Sequence, residues 1–267
     1  MMCLDRDLTV IHVFVKQVPD ISTLEYDQSS LAPRLEKATQ RLGEIDLVAL
    51  EAAVRIKESL GGEVVVLSAG FGVSELVLRE ALAMGADKCF YVSDERLSRA
   101  DSWVTANVLS RLSRRVGSPD LLLCGEASSD EGNYQLGPRL SEALAIPCVT
   151  HAVKVELDGN VARVRRALED RVETLESALP LIVTASLELA TPRLPSLLMI
   201  RAASRKPLTR IELSELGLSE ELVKPLLERV SARILKTTRR NIVLQGEPRE
   251  CAEKLVESLA SEGVIRA

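Results

Sequence analysis

Residues 119–147, PDLLLCGEASSDEGNYQLGPRLSEALAIP, decide how the chain is read. They predict a short apolar strand over 120–124, a polar loop over 125–133 and a helix over about 134–145. Leu136, Leu140, Ala143 and Leu144 follow the i, i+4, i+7, i+8 spacing of one buried helical face. A strand running through a Gly/Ser loop into a helix start aims several unpartnered main-chain N–H groups at one spot. The helix dipole is positive there, so a phosphate is attracted. Gly125, Gly132 and Gly137 allow close approach of a ligand to the backbone. Ser128 and Ser129 add hydroxyls, and Asp130, Asn133 and Gln135 can read a ribose or a base. An ordinary βα loop beside a helix N-terminus is the blander reading, and these residues alone leave both open.

Upstream, residues 8–15 (LTVIHVFV) read as a buried strand that Pro19 breaks. Residues 22–42 are polar, lack a clear period and read as loop. A helix is predicted over 46–60, with Asp46 as N-cap, Leu47, Leu50 and Val54 on one face, and Gly61-Gly62 as the stop. Residues 64–68 and 88–92 are two further buried strands, separated by a turn and a helix running from Ser74 to Gly85. Asp101 caps a helix through Val116 that Gly117 and Pro119 close. Four continuous apolar strands alternating with helices imply an α/β fold: a mainly parallel, doubly wound, Rossmann-like sheet covered on both faces. Ligands of such sheets sit beyond the carboxyl ends of the strands. Those ends are Lys16-Gln17, Ala69-Gly70 and 125–130, so three loops distant in sequence converge on one crevice.

Downstream, residues 148–157 and 161–167 flank Asp158-Gly159-Asn160 and read as a hairpin. Residues 172–175 and 181–187 add strands, expected at the edge of the sheet or in a small adjoining one. Leu197, Leu198, Met199 and Ile200 are four consecutive apolar residues that no single amphipathic face can bury, beside Arg193 and Arg201. That run is either a core helix or a partner-binding surface. Residues 214–227 and 250–259 read as helices, and 241–246 (NIVLQG) as strand-like. The chain divides into a core, 1–200, and an arm, 201–267, with little core of its own.

Composition closes off other classes. The net charge of −5 carries no nucleic-acid footprint, and no apolar run reaches the roughly 20 residues of a bilayer span. The first residues carry two Asp before a short apolar run and do not read as a secretory signal. Five cysteines without a CxxC pair fit a reducing cytoplasm. His12 and His151 read as core or edge residues, and no zinc motif, Walker A loop, GxSxG or activated nucleophile is present. Catalytic and metal-binding residues are therefore expected to be absent. Residues 68–74 (SAGFGVS) superficially resemble the SGGxDS loop of ATP-pyrophosphatases, but Val73 stands where that loop has its Asp, so the stretch reads as a βα turn able to touch an adenylate and not as a catalytic loop. A free-standing adenylate-binding sensor of the universal-stress type is one alternative reading of such a chain.

Taken together, VFVKQVPD (13–20), ALEAAVRIKE (49–58), ALAMGAD (81–87), residues 120–147 and LPLIVTASLELATPRLPSLLMI (179–200) resemble the β subunit of electron transfer flavoprotein. The resemblance implies a heterodimer whose α subunit carries FAD, with AMP or a second FAD in the β subunit. It implies nucleotide contacts at Phe14, Gly43, Glu44, Ile45, Asp46, Ala69, Gly70, and 127–137 (Ala127, Ser128, Ser129, Asp130, Glu131, Gly132, Asn133, Tyr134, Gln135, Leu136 and Gly137). A recognition loop over 192–200, with Leu197 as anchor and Arg193 and Leu198 beside it, would meet an acyl-CoA or other dehydrogenase. The arm would embrace the α subunit, and a quinone reductase or other acceptor would take the electrons. The family's usual Asn-Pro is Gly43-Glu44 here, and Tyr134 replaces a small or polar residue. Gln135, Gly137, Pro138 and 99–101 (RAD) look more like electron-bifurcating members, and both forms stay open.

Overall fold

The computed structural model describes residues 9–235 and 241–265; Leu8, the expected start of the first strand, lies outside the described residues. The main sheet is built on β1 (Val10–Phe14), flanked by β4 (Glu63–Gly70) and β6 (Leu121–Gly125), both parallel to it. Val13 lies opposite Val66 on one side and Leu123 on the other. The middle residues of all three strands are buried and, His12 and Ser68 aside, apolar, as expected for strands covered on both faces.

Helix α1 (Glu44–Leu60) and α2 (Glu75–Met84) cover one face, and α3 (Ser102–Val116) and α4 (Leu136–Leu144) the other. Asp101 caps α3 as predicted, accepting from the Val104 N–H at 3.0 Å. The helix before it, α2, is followed by β5 (Lys88–Ser93), and the chain then returns across β1 to enter β6. The connections thus leave β1 in opposite directions, which places the switch point between β1 and β6.

Five expectations are corrected. Asp46 is not an N-cap: α1 starts at Glu44 with Gly43 at the cap, and Asp46 is buried in the first turn. Its carboxylate serves the main chain of other elements instead of its own helix. The stretch 22–42 is not all loop, since β3 (Gln40–Leu42) pairs antiparallel with β2 (Gln17–Pro19). Pro19 lies at the end of that short pair, where it costs the sheet little. The strand expected at an edge, β10 (Leu181–Ala185), runs parallel in the middle, between β6 and β7 (Cys148–Asp158). Its five residues are all buried, so its unbroken apolar run marks a central strand. Residues 241–246 form no strand, and 213–223 form two short 3-10 turns, Leu213–Leu216 and Glu220–Val223, instead of a helix.

The predicted hairpin is present as β7 and β8 (Val161–Ala167), extended by β9 (Val172–Ala178) at the sheet's edge. Past residue 200 the chain completes α5 (Leu197–Ala203), adds β11 (Leu208–Arg210) beside β5 and buries Leu213 and Leu216. Leu216 is the last buried residue described; α6 (Pro248–Ser261) buries none. The described cysteines are unpaired.

Candidate nucleotide-binding site

A cavity of about 670 Å³ opens beyond the carboxyl ends of β1, β4 and β6. Three loops meet there, and each is fixed by bonds to another. The first follows β1. Its Lys16 N–H donates to Asp46 Oδ2 at 2.8 Å, and the Gly125 N–H, from the end of β6, donates to Asp46 Oδ1 at 3.2 Å. One carboxyl group from α1 therefore ties together the two strands that part at the switch point. A Cβ at Gly125 would lie 2.6 Å from Asp46 Oδ1, so this residue must be glycine for the clasp to close. Burial pushes the Asp46 carboxyl up to about 7, against the pull of the two N–H groups and the Lys16 charge.

The second loop follows β4 and turns at Gly72, whose φ is +65°. Gln17 holds it: its Oε1 accepts from the Ser74 N–H at 2.7 Å and its Nε2 donates to the Gly72 carbonyl at 3.3 Å. The third loop follows β6. Lys16 Nζ reaches Asp130 at 2.8 Å and Glu131 at 3.1 Å, and Arg229 from the arm reaches Glu131 at 2.7 Å. Gln135 Oε1 accepts from Ser102 Oγ at 2.6 Å and Arg139 Nε at 3.0 Å. No side chain caps α4, which starts at the cavity and leaves the amides of its first turn free of side-chain caps.

Of the residues the resemblance implied, Phe14, Asp46, Ala69 and Gly70 line the cavity, as do Ala127, Ser128, Asp130, Glu131, Asn133, Tyr134, Gln135 and Leu136. Gly43, Glu44, Ile45, Ser129, Gly132 and Gly137 do not. Gly137 has a packing reason, because a Cβ there would strike Thr184 of β10. Gly43 backs the Asp46 carboxylate, which a Cβ there would approach to 2.7 Å. Phe71 and Glu126 also line the cavity, inside the stretches 68–74 and 125–130 that the sequence placed near a ligand. Sequence reasoning missed Ser102 and Thr105, which arrive only through the packing of α3, and the contribution of Leu35, Glu36 and Gln40 from the supposed loop.

Among the described residues Lys16 is the one basic side chain on the cavity wall, and carboxylates already hold it. An anion in this cavity would therefore have to rest on main-chain amides and the α4 dipole. Among the described residues no cluster of His, Cys, Asp and Glu could hold a metal. His12 is buried against Ser113 Oγ at 2.9 Å, away from the cavity, and burial lowers its imidazole to about 4.

An open crevice at the switch point of a doubly wound sheet is the ligand site of the nucleotide-binding α/β class. Comparison with known proteins narrows the class: the electron transfer flavoprotein domain matches residues 35–216, and the chain belongs to the electron transfer flavoprotein family. It is 36% identical over 263 residues to the electron transfer flavoprotein subunit beta of Thermoanaerobacterium thermosaccharolyticum, covering 96% of this chain and 99% of the relative. It is 38% identical over 221 residues to that of Bacillus subtilis, covering 82% and 86%. A third relative, subunit CarD of the caffeyl-CoA reductase-Etf complex of Acetobacterium woodii, is 35% identical over 212 residues, covering 79% and 81%. The free-standing universal-stress reading finds no support among them. The matched domain ends at residue 216, where burial also ends.

Proposed function

We propose that the chain is the β subunit of a cytoplasmic heterodimer, an electron carrier and not a stand-alone enzyme, and that its cavity holds an adenine nucleotide. The α subunit would carry FAD; the β site would take AMP or a second FAD. The observation that supports this reading most is the convergence of three loops, pinned by Asp46, Gln17 and Lys16, on one crevice. The main-chain amides of the cavity-lining residues of the loop after β6 and the α4 N-terminus fit a phosphate, and Ser128 and Asn133 fit a ribose or base. When bound, a flavin would supply the electron-carrying chemistry, and Asp46, Gln17 and Lys16 would hold the loops that grip and orient the nucleotide.

Leu197 and Leu198 fit the role of docking residues. They are 85% and 79% exposed on α5, side by side among four adjacent apolar residues. Arg193 fits a supporting role, since its guanidinium binds Glu51 at 2.7 Å and also Glu58, both on α1. It fixes the loop from which α5 projects. Leu226, Leu227, Val230, Leu235, Ile242 and Val243 are exposed along the arm and suit burial against the α subunit. An acyl-CoA or other dehydrogenase and a quinone reductase or other acceptor would complete the route. Among the described residues no helix is long and apolar enough to cross a membrane.

The test is co-purification with a larger second chain, release of bound ligand by denaturation, and a count of flavins per pair. One flavin with AMP, or two flavins, supports the proposal and separates its two forms. A colourless single chain without nucleotide overturns it.

A further inference from the structure

The chain has three Phe, three Tyr and one Trp, and among the described residues only Phe71 and Tyr134 have exposed aromatic side chains. Both stand on the wall of the same cavity. Leaving a large ring in water forgoes its burial energy, so two such rings on one rim call for a reason.

Tyr134 is also held in an unusual backbone state. Its φ is +55°, in the left-handed region that aromatic residues rarely enter. Its ring stacks on His151, with centroids 6.2 Å apart and planes inclined by 28°. His151 is itself left-handed, with φ at +58°. The cause is a bulge in β7: Val183 of β10 pairs with Val149 and Ala185 with Ala152, so Thr150 and His151 together face Thr184. The His151 N–H donates to Thr184 Oγ1 at 3.0 Å, which locks the bulge. Bulges re-aim side chains beside sites. This one sends His151 Nδ1 to within 2.6 Å of Glu126 Oε2 on the cavity wall. That oxygen is buried and has no well-aligned hydrogen bond, so the imidazole is its polar contact. Two strained, non-glycine residues in mutual contact persist only where the surroundings enforce them, and such strain gathers at ligand clamps.

We propose that Tyr134, braced from behind by the His151–Glu126 pair, is a stacking platform at the cavity rim for a planar heteroaromatic ring of the bound nucleotide. The inference rests on the nucleotide reading above. One face of the phenol ring meets His151, and the residue is 56% exposed on the cavity wall. Phe71, from the loop after β4, supplies a second ring on the same rim.

The full chain, co-purified with its partner and stripped of ligand, is titrated with AMP and with FAD. Tyr134→Asn removes the ring while keeping a residue that tolerates the left-handed region. Loss of one stacking ring should weaken binding about tenfold, and Tyr134→Phe should restore it. Weakening for FAD alone assigns the flavin ring to the platform, and a rise in bound-flavin fluorescence would accompany it. Weakening for both ligands assigns the adenine. Unchanged affinity for both overturns the platform while leaving the nucleotide site intact. Wild-type protein that binds neither ligand instead overturns the functional reading itself.

Discussion

Asp46 shows how much one side chain can organise. It was legible as a helix-start residue, because acidic residues favour that position, but its partners were not. They are main-chain groups 30 and 79 residues away in the chain, and only folding brings them together. An amide in its place can accept from one of the two N–H groups but presents a donor to the other. Asp46→Asn should therefore cost about 1–3 kcal/mol in urea unfolding. The pH dependence has a definite sign. The folded carboxyl titrates near 7 and the unfolded one near the ordinary carboxylate value of about 4, so the folded state binds the extra proton between them. This contribution to stability is full below about pH 4 and is lost as pH rises through about 7. His12, lowered to about 4, works in the opposite sense: its contribution is present above about 6.5 and is lost as pH falls toward 4. The difference between wild type and Asp46→Asn isolates the carboxyl, and parallel pH curves for the two proteins would refute the assignment.

At the level of elements, α4 must lie close on β10 for its first turn to face the cavity, and Gly137 permits that distance. Gly137→Ala should lower stability by about 1–3 kcal/mol, since a methyl group meets Thr184 in a packed layer. A thermal melt unchanged from wild type would mean that the helix can shift freely. Gly137 was legible as a glycine with a purpose, yet the purpose read from sequence was ligand approach, and strand packing is what the structure displays. Helix α5 offers a different test. Leu197→Ala should slow electron exchange with a dehydrogenase at least several-fold while leaving the urea midpoint within about 0.5 kcal/mol, as for other exposed sites. Equal rates for variant and wild type would remove the docking role. The exposed run was visible in the sequence because four consecutive apolar residues cannot share one helical face. The clamp beneath it was not, since Arg193 and Glu51 are joined only by the packing of two elements.

Over the whole molecule, burial divides the chain near residue 216 and not at 200, because β11 and the turn at Leu213–Leu216 still build on the core. Beyond that point the described arm meets the core through scattered polar contacts: Asn107 donates to the Leu222 carbonyl, Asp101 accepts from the Leu226 and Leu227 N–H groups, Arg229 pairs with Glu131, and the Ile234 N–H donates to the Leu31 carbonyl. Such sparse contacts predict early local opening. Limited proteolysis of the isolated chain should trim it to a fragment ending between about 216 and 230, and the α subunit should protect the remainder. Resistance of the arm in the isolated chain would count against its need for a partner.

Local sequence determined the alternation of apolar strands and helices, and with it the parallel sheet and the end of that sheet where ligands gather. It could do so because hydrophobic period and turn chemistry act over a few residues. It did not determine that β10 would enter the middle of the sheet, that Asp46 would clasp β1 to β6, or that a bulge would turn His151 toward Glu126. Those outcomes depend on contacts between distant segments, whose geometry exists only once the layers have packed.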